Sequence, residues 1–409
     1  MKQTLITNIG MLVGVTDKPR LCGKEMSDLH GMENAYLLIE DGKIAQYGSM
    51  QTAPEHAAQI IDAKGGILMP SYCDSHTHIV YAGSREQEFI DKLCGLSYEE
   101  IAKRGGGILN SAQRLHDTDE NALYEQSAKR LEEVLRTGTG TIEIKSGYGL
   151  TLPDELKMLR VIRRLKENYP ALIKSTLLGA HAVPKEYKGR QDDYVTLVCE
   201  QMIPAAAQEG LADFIDVFCD EGFFTVADTD RILTAAAKYG LRPKIHANEL
   251  ANSGGVQIGI KHNALSVDHL ERAEMPEVEA LRASNTMPTG LPGASFFLNI
   301  PYAPTRQMIN AGLSVALASD YNPGSSPCGD MRFIMSLACI YMRLLPEEAL
   351  NAATLNGAYA MDAHRETGSI AVGKRANLIL TKPVPSLAFI PYAHHTPYIE
   401  KVFINGEVL

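Results

Sequence analysis

The chain has 409 residues, more than one small domain needs, and its 45% hydrophobic and 22% charged side chains are the balance of a globular protein with a sizeable core. A net charge of −10 argues against a surface of clustered Lys and Arg for phosphates, and so against a nucleic-acid partner. It does not exclude an anionic small-molecule substrate, which one placed arginine can hold. The seven cysteines are odd in number, scattered and without a CxxC, a pattern of free thiols in a reducing compartment.

Met1-Lys2-Gln3-Thr4 carries no apolar signal core, and no run reaches the ~18 apolar residues of a membrane span. The expectation is a cytoplasmic protein with no membrane partner. Residues 1–64 read as β-structure: 4–6 and 11–15 are short strand candidates, and 36–39 and 44–47 flank the hairpin pair Asp41-Gly42. Residues 359–409 repeat that texture, with strand runs at 376–380 and 399–404 and the turn Asn405-Gly406. Two hairpin-rich ends around a different middle predict one small β-sandwich module built from both termini.

The middle, 65–358, alternates. Strand runs are expected at 66–69, 140–144, 175–178, 214–218, 243–246, 264–267, 284–287 and 314–318. Helical spacing separates most of them. Leu156, Leu159, Ile162 and Leu165 recur by three behind the start signals Thr151, Pro153, Asp154 and Glu155. Another helix carries Leu123, Ala128, Leu131 and Leu135, with Asp117, Asp119 and Glu120 as its acidic start. Eight strands alternating with helices give an α/β class and the (β/α)8 barrel pattern. A doubly wound sheet is the other arrangement this spacing allows.

The run Asp74-Ser75-His76-Thr77-His78 follows the first of these strand runs. Alternate residues of a strand share a face, so His76 and His78 present two imidazoles together, half of a metal site. Barrels of this kind gather their chemistry at the C-terminal ends of the strands, which says where partners belong. His181 follows the third strand run, and His246 ends the fifth within His246-Ala247-Asn248-Glu249. His269 ends the sixth after Ser266-Val267-Asp268, and Asp320 ends the eighth after Leu317-Ala318-Ser319.

These residues resemble the amidohydrolase superfamily of metal hydrolases, over nearly the whole chain. The resemblance is carried further by Ala82-Gly83-Ser84-Arg85, Arg104-Gly105-Gly106-Gly107-Ile108, Lys145-Ser146-Gly147-Tyr148-Gly149-Leu150 and the run from Asp320 to Ser326. It implies a TIM-like barrel of the amidohydrolase type, with His76, His78, His246 and Asp320 holding one Zn²⁺ or Fe ion per subunit. Many members hold a second ion through a lysine at the end of strand four. Here that end reads Phe218-Cys219-Asp220-Glu221, so a single ion is expected.

The activity implied is hydrolysis of the cyclic amide of 4-imidazolone-5-propanoate to N-formimidoyl-L-glutamate, in histidine breakdown. Asp320 would take the proton of the attacking water, His269 would orient it or stabilise the oxyanion, and Glu249 would carry a proton to the leaving nitrogen. Arg85 is the expected clamp for the substrate carboxylate. Tyr148, His181, Glu249, Asn322, Gly324 and Ser325 are the other expected substrate contacts, with Tyr98 a further candidate. Members of the family imply a homodimer. Gly105-Gly106-Gly107 lacks the GK[ST] ending of a phosphate loop and reads as a lid beside the site. Two other functions stay open: an amidohydrolase-type deaminase of a heterocycle, and a non-catalytic amidohydrolase-like scaffold.

Overall fold

The structure, a computed structural model, describes residues 2–96, 100 and 106–409. Tyr98 and the Arg104-Gly105 part of the glycine-rich segment lie outside the described residues. The chain opens with β1 (Gln3–Leu12), β2 (Met32–Glu40), β3 (Lys43–Ser49), β4 (Gln59–Asp62) and β5 (Ile67–Pro70). The next eight strands are β6 (Tyr72–Thr77), β7 (Thr139–Lys145), β8 (Leu172–Ala180), β9 (Phe214–Cys219), β10 (Arg242–Ala247), β11 (Ser266–His269), β12 (Met287–Gly290) and β13 (Ala316–Leu317). The chain closes with β14 (Leu378–Thr381), β15 (Ile399–Ile404) and β16 (Glu407–Val408).

Both termini build one mixed sheet, in the order β16-β15-β14-β5-β1-β2-β3, with β4 also on β1. Its two-residue turns sit where the sequence marks them. Asp41 and Gly42 have φ of 46° and 80°, and Asn405 and Gly406 have 49° and 76°, the left-handed pairs that a tight hairpin needs. Ile6, Ile9, Leu37, Ile39, Leu378 and Phe403 of this sheet are buried in one apolar cluster.

Strands β6 to β13 form the second sheet in sequential order, each parallel to the next, with helices between them. The helix Leu152–Asn168 starts where expected, its Thr151 hydroxyl accepting from Asp154 N. Asp119 likewise caps Glu120–Arg136 by accepting from Asn121 N and Ala122 N. No helix among the described residues is long and apolar enough to cross a membrane.

Two strand readings are corrected. The apolar run at 66–69 is not the first barrel strand: β5 pairs in parallel with β1 and antiparallel with β14, in the terminal sheet. A strand buried on both faces is continuously apolar whichever sheet it joins, so its pattern does not choose. The first barrel strand is β6, whose residues Tyr-Cys-Asp-Ser-His-Thr are mostly polar yet all buried. The strand expected at 284–287 is β12, which starts only at Met287, the last of those residues, and runs on through Pro288, where the missing N–H reads as a stop.

The barrel closes at its polar ends. Thr77 bridges Tyr321 in parallel, Asp320 N donates to His76 O at 3.0 Å, and His78 N donates to Tyr321 O at 2.9 Å. Asp74 accepts from Ser319 N at 3.0 Å across the same seam. This closure sets the residue after the last strand beside the two histidines of the first.

Candidate metal centre

His76 lies near the end of β6 and His78 just beyond it, while the intervening Thr77 hydroxyl turns away to Glu143 O at 2.7 Å. Their Nε2 atoms are 3.3 Å apart. His246, on β10, brings its Nε2 to 3.1 Å from that of His76. Asp320 Oδ1 completes the group at 3.6 Å from His76 Nε2 and 3.5 Å from His78 Nε2. All four side chains are nearly fully buried.

The donor chemistry shows what this group fits. Asp268 accepts from His76 Nδ1 at 2.7 Å, and Asp216 accepts from His246 Nδ1 at 2.9 Å. A carboxylate offers no proton, so each Nδ1 carries the hydrogen and each Nε2 carries a lone pair. Those lone pairs face one another at 3.1 Å beside a carboxylate oxygen, an arrangement that a bound cation relieves. Burial, and then the nearby Lys145 charge, push His76 well below the usual imidazole range. Burial and His181 do the same to His78. Neutral imidazoles are the form that ligates. His76, His78 and His246 offer ligand atoms within 4.8 Å of one another, as do His76, His269 and Asp320, so the cluster can hold a metal ion.

The sequence reading does not anticipate a buried charge network beneath these ligands. Lys145 Nζ lies 2.8 Å from Glu143 Oε1, 2.9 Å from Asp216 Oδ2 and 4.0 Å from Asp268 Oδ2, with all four side chains fully inaccessible. Lys244 Nζ is 3.7 Å from the same Asp268 oxygen and donates to Ser75 O and Ala360 O. Two ammonium groups thus serve the carboxylates that orient His76 and His246. The signal that could have found them is charge inside strands: Glu143 and Lys145 in β7, Asp216 in β9 and Asp268 in β11 are all completely buried.

The proton-carrying candidates adjoin the ligands. His269 Nε2 is 3.5 Å from Glu249 Oε2, and its Nδ1 is 3.3 Å from Glu271 Oε1. Burial raises Glu249 to about 8. Burial opposes a charge on His269, but Glu249 and Glu271 outweigh it and raise that imidazole. Asp220, to which the sequence reading gives no role, accepts from the backbone N–H groups of Glu249, Leu250 and Ala251 and so fixes the turn that presents Glu249. Asn248, His269 and Asp320 have φ of 55°, 82° and 54°, left-handed backbone in non-glycine residues. Such conformations cost about 1–3 kcal/mol each and persist where the surroundings over-determine them. Here the barrel rim is that surrounding.

The expected substrate contacts fall around the same rim. His181 stacks on His78 with ring centroids 5.4 Å apart, and its Nδ1 donates to Gly147 O at 2.8 Å. Burial and the neighbouring His246 depress it to about 3, so its Nε2 is an acceptor. Tyr148 lies 5.3 Å from that ring. Asn322 faces inward on its own turn: its Oδ1 accepts from Gly324 N and Ser325 N, and its Nδ2 donates to Asp320 O. Ser325 Oγ donates to Asp320 Oδ2 at 3.3 Å. Arg85 lies across this turn, where a side chain on Gly324 would meet its guanidinium.

A barrel of eight parallel strands with a histidine–carboxylate cluster at its strand ends defines a class, and the amidohydrolase family model matches residues 67–409. The chain belongs to the amidohydrolase family. Within it, the chain is 55% identical over 408 residues to the imidazolonepropionase of Christiangramia forsetii, covering 99% of each. It is 54% identical to the imidazolonepropionase of Flavobacterium johnsoniae, covering 99% of this chain and 100% of that one. Among solved structures, a triazine hydrolase variant superposes with a TM-score of 0.78 at 18% identity, covering 100% of this chain and 95% of that one. That likeness concerns the fold.

Proposed function

We infer that this chain hydrolyses the cyclic amide C–N bond of 4-imidazolone-5-propanoate, giving N-formimidoyl-L-glutamate in histidine catabolism. The observation that supports this most directly is the identity to imidazolonepropionases along the full chain, joined to a complete set of three imidazoles and one carboxylate. The complete ligand set speaks against a scaffold that has lost its metal. No feature of the site favours a deaminase over the cyclic-amide hydrolase.

His76, His78, His246 and Asp320 would hold one Zn²⁺ or Fe ion per subunit, the N/O donor set that both ions accept. When bound, the ion supplies Lewis acidity for the amide carbonyl and lowers the pKa of water. Asp320 takes the proton of the attacking water. His269, anchored by Glu271, orients that water and faces the oxyanion as the carbonyl carbon becomes tetrahedral. Glu249, whose carboxyl burial raises to about 8, delivers a proton to the ring nitrogen as the C–N bond breaks. Arg85 binds the propanoate carboxylate, His181 Nε2 accepts from the ring edge, and Tyr148 packs on the ring. Asn322, Gly324 and Ser325 shape the floor beneath the substrate. The family reading carries a homodimer with it.

The reading is tested by following loss of 4-imidazolone-5-propanoate absorbance on adding the protein. The expected result is turnover that a chelator abolishes and added Zn²⁺ or Fe²⁺ restores; release of ammonia from heterocycle substrates instead would point to the deaminase. Glu249→Gln removes the proton while keeping the shape. It is expected to lower kcat about 10²- to 10⁴-fold with metal content unchanged, as loss of a general acid does. Near-normal turnover in metal-replete Glu249→Gln would take that role from it.

A further inference from the structure

Arg85 enters the site already bound to its own chain. Its Nε and Nη2 both donate to Glu88 Oε2, at 2.9 and 2.6 Å. The other carboxylate oxygen of Glu88 accepts from Gly107 N at 3.0 Å and Asn110 Nδ2 at 3.4 Å. Glu88 is therefore fixed from both sides, and its side chain and that of Arg85 are each only 10% exposed. A Cβ built on Gly324 would lie 2.2 Å from Arg85 Nη1 and 2.6 Å from its Cζ. The guanidinium thus occupies the space that any other residue at 324 would fill, on the turn that follows Asp320. Its charge also reaches Tyr148 and His181, where it disfavours the protonated forms.

We propose that Glu88 is the positioning residue of the carboxylate clamp: it takes the Nε–Nη2 edge of Arg85 and seats the guanidinium on Gly324, leaving Nη1 for the substrate tail. The proposal rests on the reading of Arg85 as that clamp. Arginine is a long, rotamer-rich side chain, and an unheld guanidinium must be ordered when the carboxylate arrives. Here the ordering is done by folding. Because Oε2 of Glu88 receives two donors from one edge, the guanidinium plane is fixed as well as its position.

The test is steady-state kinetics on 4-imidazolone-5-propanoate for Glu88→Gln, Gly324→Ala and Arg85→Met, with metal content measured for each. Glu88→Gln keeps the volume and loses the charge; Gly324→Ala leaves Glu88 intact and displaces the guanidinium. Glu88→Gln is expected to raise KM roughly tenfold with kcat within about twofold of the parent, a split that general damage to the site would not give, and Gly324→Ala to raise KM at least as much. If Arg85→Met raises KM at least as much while Glu88→Gln stays within about twofold, the clamp stands and the role of Glu88 is overturned. If Glu88→Gln lowers kcat or metal content instead, Glu88 is structural and the proposal is likewise overturned. An unchanged KM in Arg85→Met removes the clamp itself, and the proposal with it.

Discussion

Asp320→Asn is expected to lower kcat about 10²- to 10⁴-fold, the loss that follows removal of a positioned general base. The substitution is nearly isosteric and keeps an oxygen toward the ligand cluster, so it separates proton transfer from shape. The parent carboxylate is tightly placed: Asp320 N is tied to His76 O at 3.0 Å, and Oδ1 stands 3.5–3.6 Å from two imidazole nitrogens. Its second oxygen accepts from Ser325 Oγ. An amide at this position satisfies the same seam but cannot accept the proton of water. The measurement is kcat under saturating metal, with circular dichroism as the check on folding. A metal-replete Asp320→Asn enzyme within about fivefold of the parent kcat would remove Asp320 as the acceptor and shift that role to the Glu249–His269 pair. Asp320→Ala is expected to lose metal as well as rate, since it removes the ligand oxygen altogether.

How much of this site the sequence discloses depends on which residue carries the signal. His76 and His78 are legible because strand alternation is a fixed period. His246, His269 and Asp320 are legible because a barrel sends the residues after its strands to one rim. The strand that carries the first pair was less legible. Its Tyr-Cys-Asp-Ser-His-Thr is mostly polar, and the apolar run just before it, which the sequence reading takes as the first barrel strand, belongs to the terminal sheet. Period alone cannot reveal that the strand's polarity is satisfied by barrel closure, as when Asp74 bonds Ser319 from the far end of the barrel. The partners of the ligands were hidden for a related reason. Asp216, Asp268 and Lys145 sit one layer below the rim, inside fully buried strands, and only their three-dimensional convergence gives them meaning. Glu88 was hidden differently. It lies on the helix Glu86–Leu93, where a carboxylate reads as solvated, and its 7% exposure follows from packing against Arg85 and Gly107.

Lys145→Met is expected to destabilise the protein by about 3–5 kcal/mol, because removing one partner of a buried ion group leaves the others charged and unpaired. Glu143 and Asp216 each lie within 2.9 Å of Lys145 Nζ, and Thr176 is the other side-chain donor to Glu143 Oε1. Glu143 Oε2 has no hydrogen-bond partner among the described residues, so little is available to take over. Burial opposes the lysine charge, but Asp216, Glu143 and Asp268 together hold the ammonium above its ordinary range. Loss of that charge also reaches the ligands. Asp216 and Asp268 hold the Nδ1 hydrogens of His246 and His76, and weakening such outer partners typically lowers metal affinity about 10- to 100-fold. The two effects separate in one experiment: denaturant unfolding of metal-free and metal-loaded protein, with chelator competition on the folded fraction. A variant as stable as the parent would mean that the three carboxylates shed their charge on losing the lysine. A variant that is destabilised yet binds metal as tightly as the parent would confine Lys145 to the core and leave the Asp268 that orients His76 to Lys244, the other ammonium beside it.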